Sequence, residues 1–225
     1  MISLGIDTSG ERLHIGVSKG GRDIYSRAYK GKQPHSVVIL DEIEKVLEET
    51  EVGREDLSLV AATGGPGRYT ALRVGLATAK GLAMALNIPF VMVSTLYAWV
   101  YSILPFTGKV AVVMDARRRL VYFALFETKG EEVKRIEKDK VVSYQQAAAL
   151  IPDGGVVLGD GVSLVRPFLQ ELKKDFLEIS GDVRGGIVAM LGSERYEERP
   201  SDDLFGGPFY IRGIEIQSSL RMERR

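Results

Sequence analysis

The chain has no cysteine and only two histidines. Without thiols there can be no disulfide, no thiolate nucleophile and no sulfur ligand to a metal. A helical zinc site needs two histidines on one face, and His14 and His35 fall on different elements, so no metal site is expected. Net charge is missing too: 30 Lys and Arg balance 30 Asp and Glu. No global field therefore draws in nucleic acid or an anionic membrane. Contact with RNA would need a local patch, and the nearest are Arg117-Arg118-Arg119 and the tail Arg221-Met222-Glu223-Arg224-Arg225. No apolar run reaches the ~18 residues of a membrane helix. The opening "MISLGIDTSGERLHIGVSKG" has neither a basic leader nor a continuous apolar core, so it does not read as a signal peptide. A cytoplasmic protein without membrane contact is expected.

What is present is an ordinary globular composition, 45% hydrophobic and 27% charged over 225 residues, long enough for one large domain or two smaller ones. "ISLGIDT" (2–8) reads as a strand ending in Asp7. "RLHIGVS" (12–18) alternates, with Leu13, Ile15 and Val17 on one face and His14, Gly16 and Ser18 on a polar one. Gly20-Gly21 turns the chain into "DIYSRAY". Ser36 sits as an N-cap before a helix whose stripe is Ile39, Leu40, Ile43, Val46 and Leu47. "LSLVAAT" is a buried strand, followed by "GGPGRYTALRVGLATAKGLAMAL" (64–86), Pro89 and the strand "FVMVS".

Shifted by 108 positions, Asp7 falls on Asp115, and "SLGIDTSGERLHIGVS" aligns with "VAVVMDARRRLVYFALF". A third strand (131–139), the helix "YQQAAALI", the strand "GGVVLGDG" and another helix follow in the order of the first half. A repeat this long is a duplicated domain rather than a solenoid unit, which recurs every ~20–50 residues. The expected fold is α/β: a duplicated actin-like/Hsp70-like (ASKHA) fold of two βββαβα-type domains, residues 1–106 and 107–225. In that architecture phosphates lie at the two Asp-bearing hairpins.

The glycine-rich loop lacks the lysine of a Walker motif before Lys80. Two readings stay open for Gly64 to Thr70: a turn leading to an N-cap at Thr70, or a backbone anion site. Asp7, Thr8 and Ser9 make a plausible first phosphate hairpin, with Asp7 holding a metal-bound water. The second, Asp115-Ala116-Arg117-Arg118, fills with arginine the space where backbone should close on a nucleotide. A self-contained ATPase is disfavoured. In the long helix, Leu72, Gly75, Leu76, Ala79, Leu82, Ala83 and Leu86 share one face. Val74, Ala77, Thr78, Gly81 and Ala85, with Met84 beside them, make a second apolar face. A helix apolar all round must be covered on both sides, within its own domain or by another subunit.

These segments resemble the TsaB (YeaZ) family over nearly the whole chain. "GIDTS" (5–9) resembles its opening strand, and "GGPGRYTALRVGLATAKGLA" its Gly-Pro-Gly-Ser-Phe-Thr-Gly-Leu-Arg-Ile-Gly signature. "MDARRRLVYFALF" resembles its Asp-Ala-Arg-Arg segment, and "PFYIR" (208–212) its Pro-x-Tyr-Leu-Arg terminus. Arg68, Tyr69 and Ala71 depart from the family's Ser, Phe and Gly. The resemblance implies a non-catalytic scaffold and activator, with no catalytic residues and no metal of its own. It would pair with its catalytic relative TsaD, and with TsaE, in the complex that makes threonylcarbamoyladenosine on tRNA from an adenylate supplied by TsaC. It also implies a partner-binding surface in the N-terminal domain, carried by Arg73, Val74, Ala77, Thr78, Gly81, Met84 and Ala85, and a homodimer when the chain is alone. ATP or ADP would bind only at an interface shared with partners, touching Asp7, Thr8, Ser9, Arg117 and Arg118. Contact with tRNA would be indirect, through the complex. The competing class is an enzyme in its own right, a stand-alone ATPase of this fold or an M22 glycoprotease-like metallopeptidase.

Overall fold

A computed structural model of the chain describes residues 1–179, 181–198, 202 and 206–208. Of the terminal motif at 208–212, only Pro208 lies within the described residues; the arginine-bearing tail at 221–225 lies outside them.

The first half runs β1 (Ile2–Asp7), β2 (Leu13–Lys19), β3 (Arg22–Tyr29), α1 (His35–Glu49), β4 (Leu59–Gly65), α2 (Tyr69–Leu86), β5 (Phe90–Ser94) and α3 (Thr95–Tyr101). The second runs β6 (Gly108–Asp115), β7 (Leu120–Lys129), β8 (Glu132–Arg135), β9 (Lys140–Ser143), α4 (Tyr144–Leu150), β10 (Gly155–Leu158), α5 (Val162–Glu171), β11 (Phe176–Glu178) and α6 (Gly185–Glu198). The first sheet has the order β3-β2-β1-β4-β5 and the second β8-β7-β6-β10-β11, with β9 also paired to β7. In each, the opening strand pairs antiparallel with the next and parallel with the strand after the first helix. The fold is the duplicated actin-like one; the third strand read at 131–139 is only the short β8, and a second short strand, β9, follows beyond that range.

Three apolar clusters hold the layers together. Leu4, Ile6, Val46 and Leu76 belong to the cluster between the first sheet and α1 and α2. Val113, Phe123, Ala147 and Val165 join the second sheet to α4 and α5. The third, with Ala61, Trp99, Val110, Phe126 and Val188, lies between the sheets and takes in α3 and α6.

Here the sequence-based expectations need correcting. A division at 106/107 separates the two sheets, but α6 packs on β1, β2, β3 and β4 of the first. It lies so close that a Cβ on Gly5 would fall 2.1 Å from the Gly185 carbonyl, and one on Gly16 2.1 Å from the Gly186 nitrogen. Only glycine allows this approach. His14, Gly16 and Ser18 are therefore buried beneath α6 and its leading segment rather than forming a wet face. On α1 the stripe shifts by one position: Leu40 is 59% exposed, while Val38 and Glu42 are buried with Ile39 and Ile43. Glu42 is tolerated there because Arg27 and Lys45 each reach it at 2.7 Å. The helix also starts two residues early, with Pro34 at the N-cap position, so Ser36 is not its cap.

Candidate functional site

Two features were expected to work: the pair of Asp-bearing hairpins and the outer face of α2. Asp7 and Asp115 do end equivalent strands, and both line a cleft of about 450 Å³ between the two halves. Their surroundings differ.

At the first hairpin the Asp7 carboxylate and the Thr8 hydroxyl have partners inside the chain. One Asp7 oxygen accepts the Ser9 N–H at 3.0 Å and the Thr63 hydroxyl at 2.6 Å. The other faces His14 Nδ1 at 3.3 Å. Burial alone would raise the Asp7 pKa, but the hydrogen bond and charge of His14, with the bonds from Thr63 and Ser9, hold it below the ordinary range. His14 Nε2 lies 3.1 Å from an Asp182 oxygen, so a second carboxylate faces the imidazole from its other side. Burial opposes the charged imidazole, yet the two carboxylates outweigh it and raise its pKa to about 9. The result is an Asp7–His14–Asp182 bridge, buried at Asp7 and His14 and half-exposed at Asp182, that ties β1 and β2 to the segment leading into α6.

The Thr8 hydroxyl and the Ser9 backbone are likewise taken. The Thr8 hydroxyl donates to the Ala71 carbonyl at 2.7 Å, and a Cβ on Gly75 would meet it at 2.3 Å. Arg68 N–H donates to the Ser9 carbonyl at 2.9 Å, and Gly67 has room only for hydrogen against Ser9. The Gly-rich loop is thus a close-packing turn against the first hairpin, followed by a helix that begins at Tyr69 with no side-chain cap, rather than at a Thr70 cap. Thr8 points under α2 and does not line the cleft, which corrects its place in a phosphate hairpin. Asp7, with both oxygens engaged, is a structural carboxylate.

The second hairpin is open. Arg117, Arg118 and Arg119 are exposed, with φ of 63°, 54° and 61°. Three consecutive left-handed residues that are not glycine cost about 1–2 kcal/mol each. Arg117 turns back on its own Asp115, 3.1 Å from Oδ2, while its N–H donates to Oδ1. Only Arg117 of the three lines the cleft; Arg118 does not join it. Asp160, which sequence reading missed, accepts the Asp115 N–H at 2.9 Å, and burial raises its pKa. The Gly159-Asp160-Gly161 step after β10 stands where the first half has its glycine loop after β4, a signal that could have found it. Asp182 gave no such signal, being 168 residues from His14 in sequence. Among the described residues no group of three His, Asp or Glu is placed to hold a metal ion.

The helix face is as read. Leu72, Gly75, Leu76, Ala79 and Ala83 of α2 are buried, and Leu82 and Leu86 pack partly against the same core. Arg73, Ala77, Gly81, Met84 and Ala85 are exposed, with Val74 and Thr78 half-buried at the margin. Nothing lies within 4 Å of a Cβ placed on Gly81. Met84 is 61% exposed, and Val37 and Leu40 on the neighbouring α1 are 59% each. The Arg73 guanidinium lies 5.0 Å from the Tyr69 ring centre.

Residues 29–180, more than half of the chain, match the family model described as TsaD: tRNA N6-adenosine threonylcarbamoyltransferase. The Bacillus subtilis tRNA threonylcarbamoyladenosine biosynthesis protein TsaB is 29% identical over 226 residues, 97% of each chain. A Fusobacterium nucleatum tRNA N6-adenosine threonylcarbamoyltransferase is 34% identical over 118 residues, 45% of this chain and 35% of that one. Among solved structures, YeaZ from Pseudomonas aeruginosa superposes with a TM-score of 0.78 at 21% identity, covering 93% of this chain and 99% of the other. That likeness speaks for the fold, while the family match and the full-length similarity speak for descent. The chain belongs to the family of the TsaD model, and within it to the TsaB (YeaZ) group.

Proposed function

We propose that this chain is a non-catalytic subunit in tRNA threonylcarbamoyladenosine synthesis, and that it works in the cytoplasm by pairing with TsaD, its catalytic relative. The observation that carries the reading is the outer face of α1 and α2. Val37, Leu40 and Met84 stand in water beside Ala77, Gly81 and Ala85, whose small size leaves room for another helix to approach closely. A relative built on the same duplicated fold offers an equivalent helix pair. Full-length similarity to a TsaB protein supports the pathway. On this reading TsaE joins the pair, and a second copy of the chain covers the face when TsaD is absent.

The internal engagement of Asp7 and the self-pairing of Arg117 favour a scaffold over an ATPase. Both Asp7 oxygens already have partners inside the chain, which leaves less capacity for a metal-bound water, and Arg117 pairs with Asp115 within its own turn. The chain takes no cofactor by itself, and ATP or ADP belongs to an interface shared with its partners. The test combines tagged co-purification with TsaD, size exclusion of the mixture, and ATP turnover by the chain alone. One complex and no turnover are expected. A TsaD that elutes separately, or sustained hydrolysis by the isolated chain, would falsify the reading.

A further inference from the structure

The β6–β7 turn has no role in a pairing surface built on α1 and α2, yet it is the most strained and most cationic short segment among the described residues. Three arginines occupy dihedrals that glycine adopts freely. Successive residues in this left-handed run turn their side chains roughly 100° apart. The three guanidinium groups therefore cannot converge on one small ligand. Arg117 faces the cleft and its own Asp115, whereas Arg118 and Arg119 do not line the cleft and have no ion-pair partner among the described residues. The cleft lining holds more carboxylates than cations: Arg12 and His14 are already paired with Asp182 and Asp7, which leaves Glu11 and Asp160 to disfavour a phosphate inside. Phosphate is favoured at the rim, not within. Arg68, exposed on the opposite wall, extends the cationic rim across the opening.

We infer that this turn is a phosphate-contacting finger for RNA, in which Arg118 and Arg119 reach successive backbone phosphates of the substrate tRNA. The inference rests on the proposed place of the chain in tRNA modification, and it makes the contact with RNA direct. Diverging guanidinium groups suit an extended polyanion better than a single nucleotide, and arginine binds phosphate through its planar fork.

The experiment uses the complex of this chain with TsaD and an unmodified tRNA transcript, with binding followed by anisotropy over a salt series. The variant is Arg118→Gly with Arg119→Gly, because glycine keeps the turn's dihedrals and the fold. Affinity should fall about 10-fold at low salt and the salt slope by about 1–2, one for each lost phosphate contact. Lys129→Ala with Lys134→Ala, two exposed cations at the far end of β7 and on β8, should leave both unchanged. Saturating ATP should not displace the transcript. Unchanged affinity in the glycine variant would overturn the inference. So would competition by ATP that the variant abolishes, since the arginines would then hold a nucleotide. A variant that binds the transcript normally but no longer co-elutes with TsaD would move them to a protein interface. Should the wild-type chain fail to pair with TsaD, the proposed function falls. Arginine-dependent binding of the transcript by the chain alone would still support the finger, and its absence would overturn it.

Discussion

The two halves share strand order, crossover pattern and an aspartate at the end of the opening strand, yet their first turns have opposite fates. After Asp7 the start of the turn is packed, with α2 over Thr8, the glycine loop against Ser9 and His14 opposite the carboxylate, while Glu11 and Arg12 reach water. After Asp115 the register partner is Val121, and the turn projects three arginines into water. The helices that follow differ in the same sense. The outer face of α2 is small and apolar, while α5 exposes Ser163, Gln170 and Glu171. Duplication supplied two copies of one scaffold. One copy became a filled core with a sticky helix face, and the other kept an open, polar rim. The specialised surfaces therefore lie on different halves and can be broken separately.

The largest effect is expected on α2. On the proposed pairing, Gly81→Arg places a long cation where a partner helix would approach, combining overpacking of about 1–3 kcal/mol with the burial of an unpaired charge. Association with TsaD, or with a second copy, should weaken by more than about 100-fold. The isolated chain should still fold, because Gly81 faces open space. Gln170→Arg on α5 should change neither, and pairing lost equally by both variants would place the interface elsewhere.

Next comes the bridge that only the first half has. His14 is raised from 6.5 to about 9, so its contribution is complete below pH ~6.5 and fades as pH rises through about 9. The interval corresponds to about 3 kcal/mol. Asp7 acts in the opposite sense: its lowered pKa makes its contribution fade as pH falls through the acid range. The facing groups are Asp7 on β1, Asp182 before α6, and Arg12, which pairs with Asp182 at 2.7 Å. His14→Val copies the second half's Val121 but strands Asp7. It should cost about 3 kcal/mol at pH 6, and most of that difference should disappear by pH 10. Urea unfolding at the two pH values measures it, and a cost that does not depend on pH would mean the bridge is uncharged.

A smaller loss is expected at Gly75, where a Cβ would meet the Thr8 hydroxyl at 2.3 Å. Gly75→Ala must push α2 off the first hairpin and should cost about 1–3 kcal/mol in thermal unfolding. Retained or increased stability would show that Thr8 is not clamped.

Strand order, the duplication and both faces of α2 were legible because they rest on local periodicity. Leu72, Leu76 and Ala79 repeat at helical spacing, and Asp7 and Asp115 recur in matching strand–turn contexts. What escaped was set by distant chain. The strand face of His14, Gly16 and Ser18 looks polar, and only the return of α6 from residues 185–198 buries it. That helix has small residues on several sides, with Gly185, Gly186 and Gly192 each against a strand or its neighbour, so no clear stripe announces where it docks. The partners of Asp7 were illegible for the same reason: Thr63 and His14 are brought to it by folding, and a carboxylate after a strand looks alike in sequence whether or not it is engaged.

The smallest effect sharpens the contrast between Gly75 and Gly81, six residues apart on one helix. Gly81 lies mid-helix, and nothing stands within 4 Å of an added Cβ. Glycine there weakens the helix by about 0.5–1 kcal/mol relative to alanine without any close packing in return within this chain. Gly81→Ala should therefore stabilise the isolated protein by about that amount, a rise in melting temperature of about 2 °C for a chain of this size. In the complex the same methyl stands between two helices and should weaken association modestly, far less than arginine does. Calorimetry of the chain alone and titration with TsaD separate the two effects. A lower melting temperature would mean that Gly81 already touches something within its own chain, and unchanged association would leave the partner helix farther away than the small residues of α2 permit.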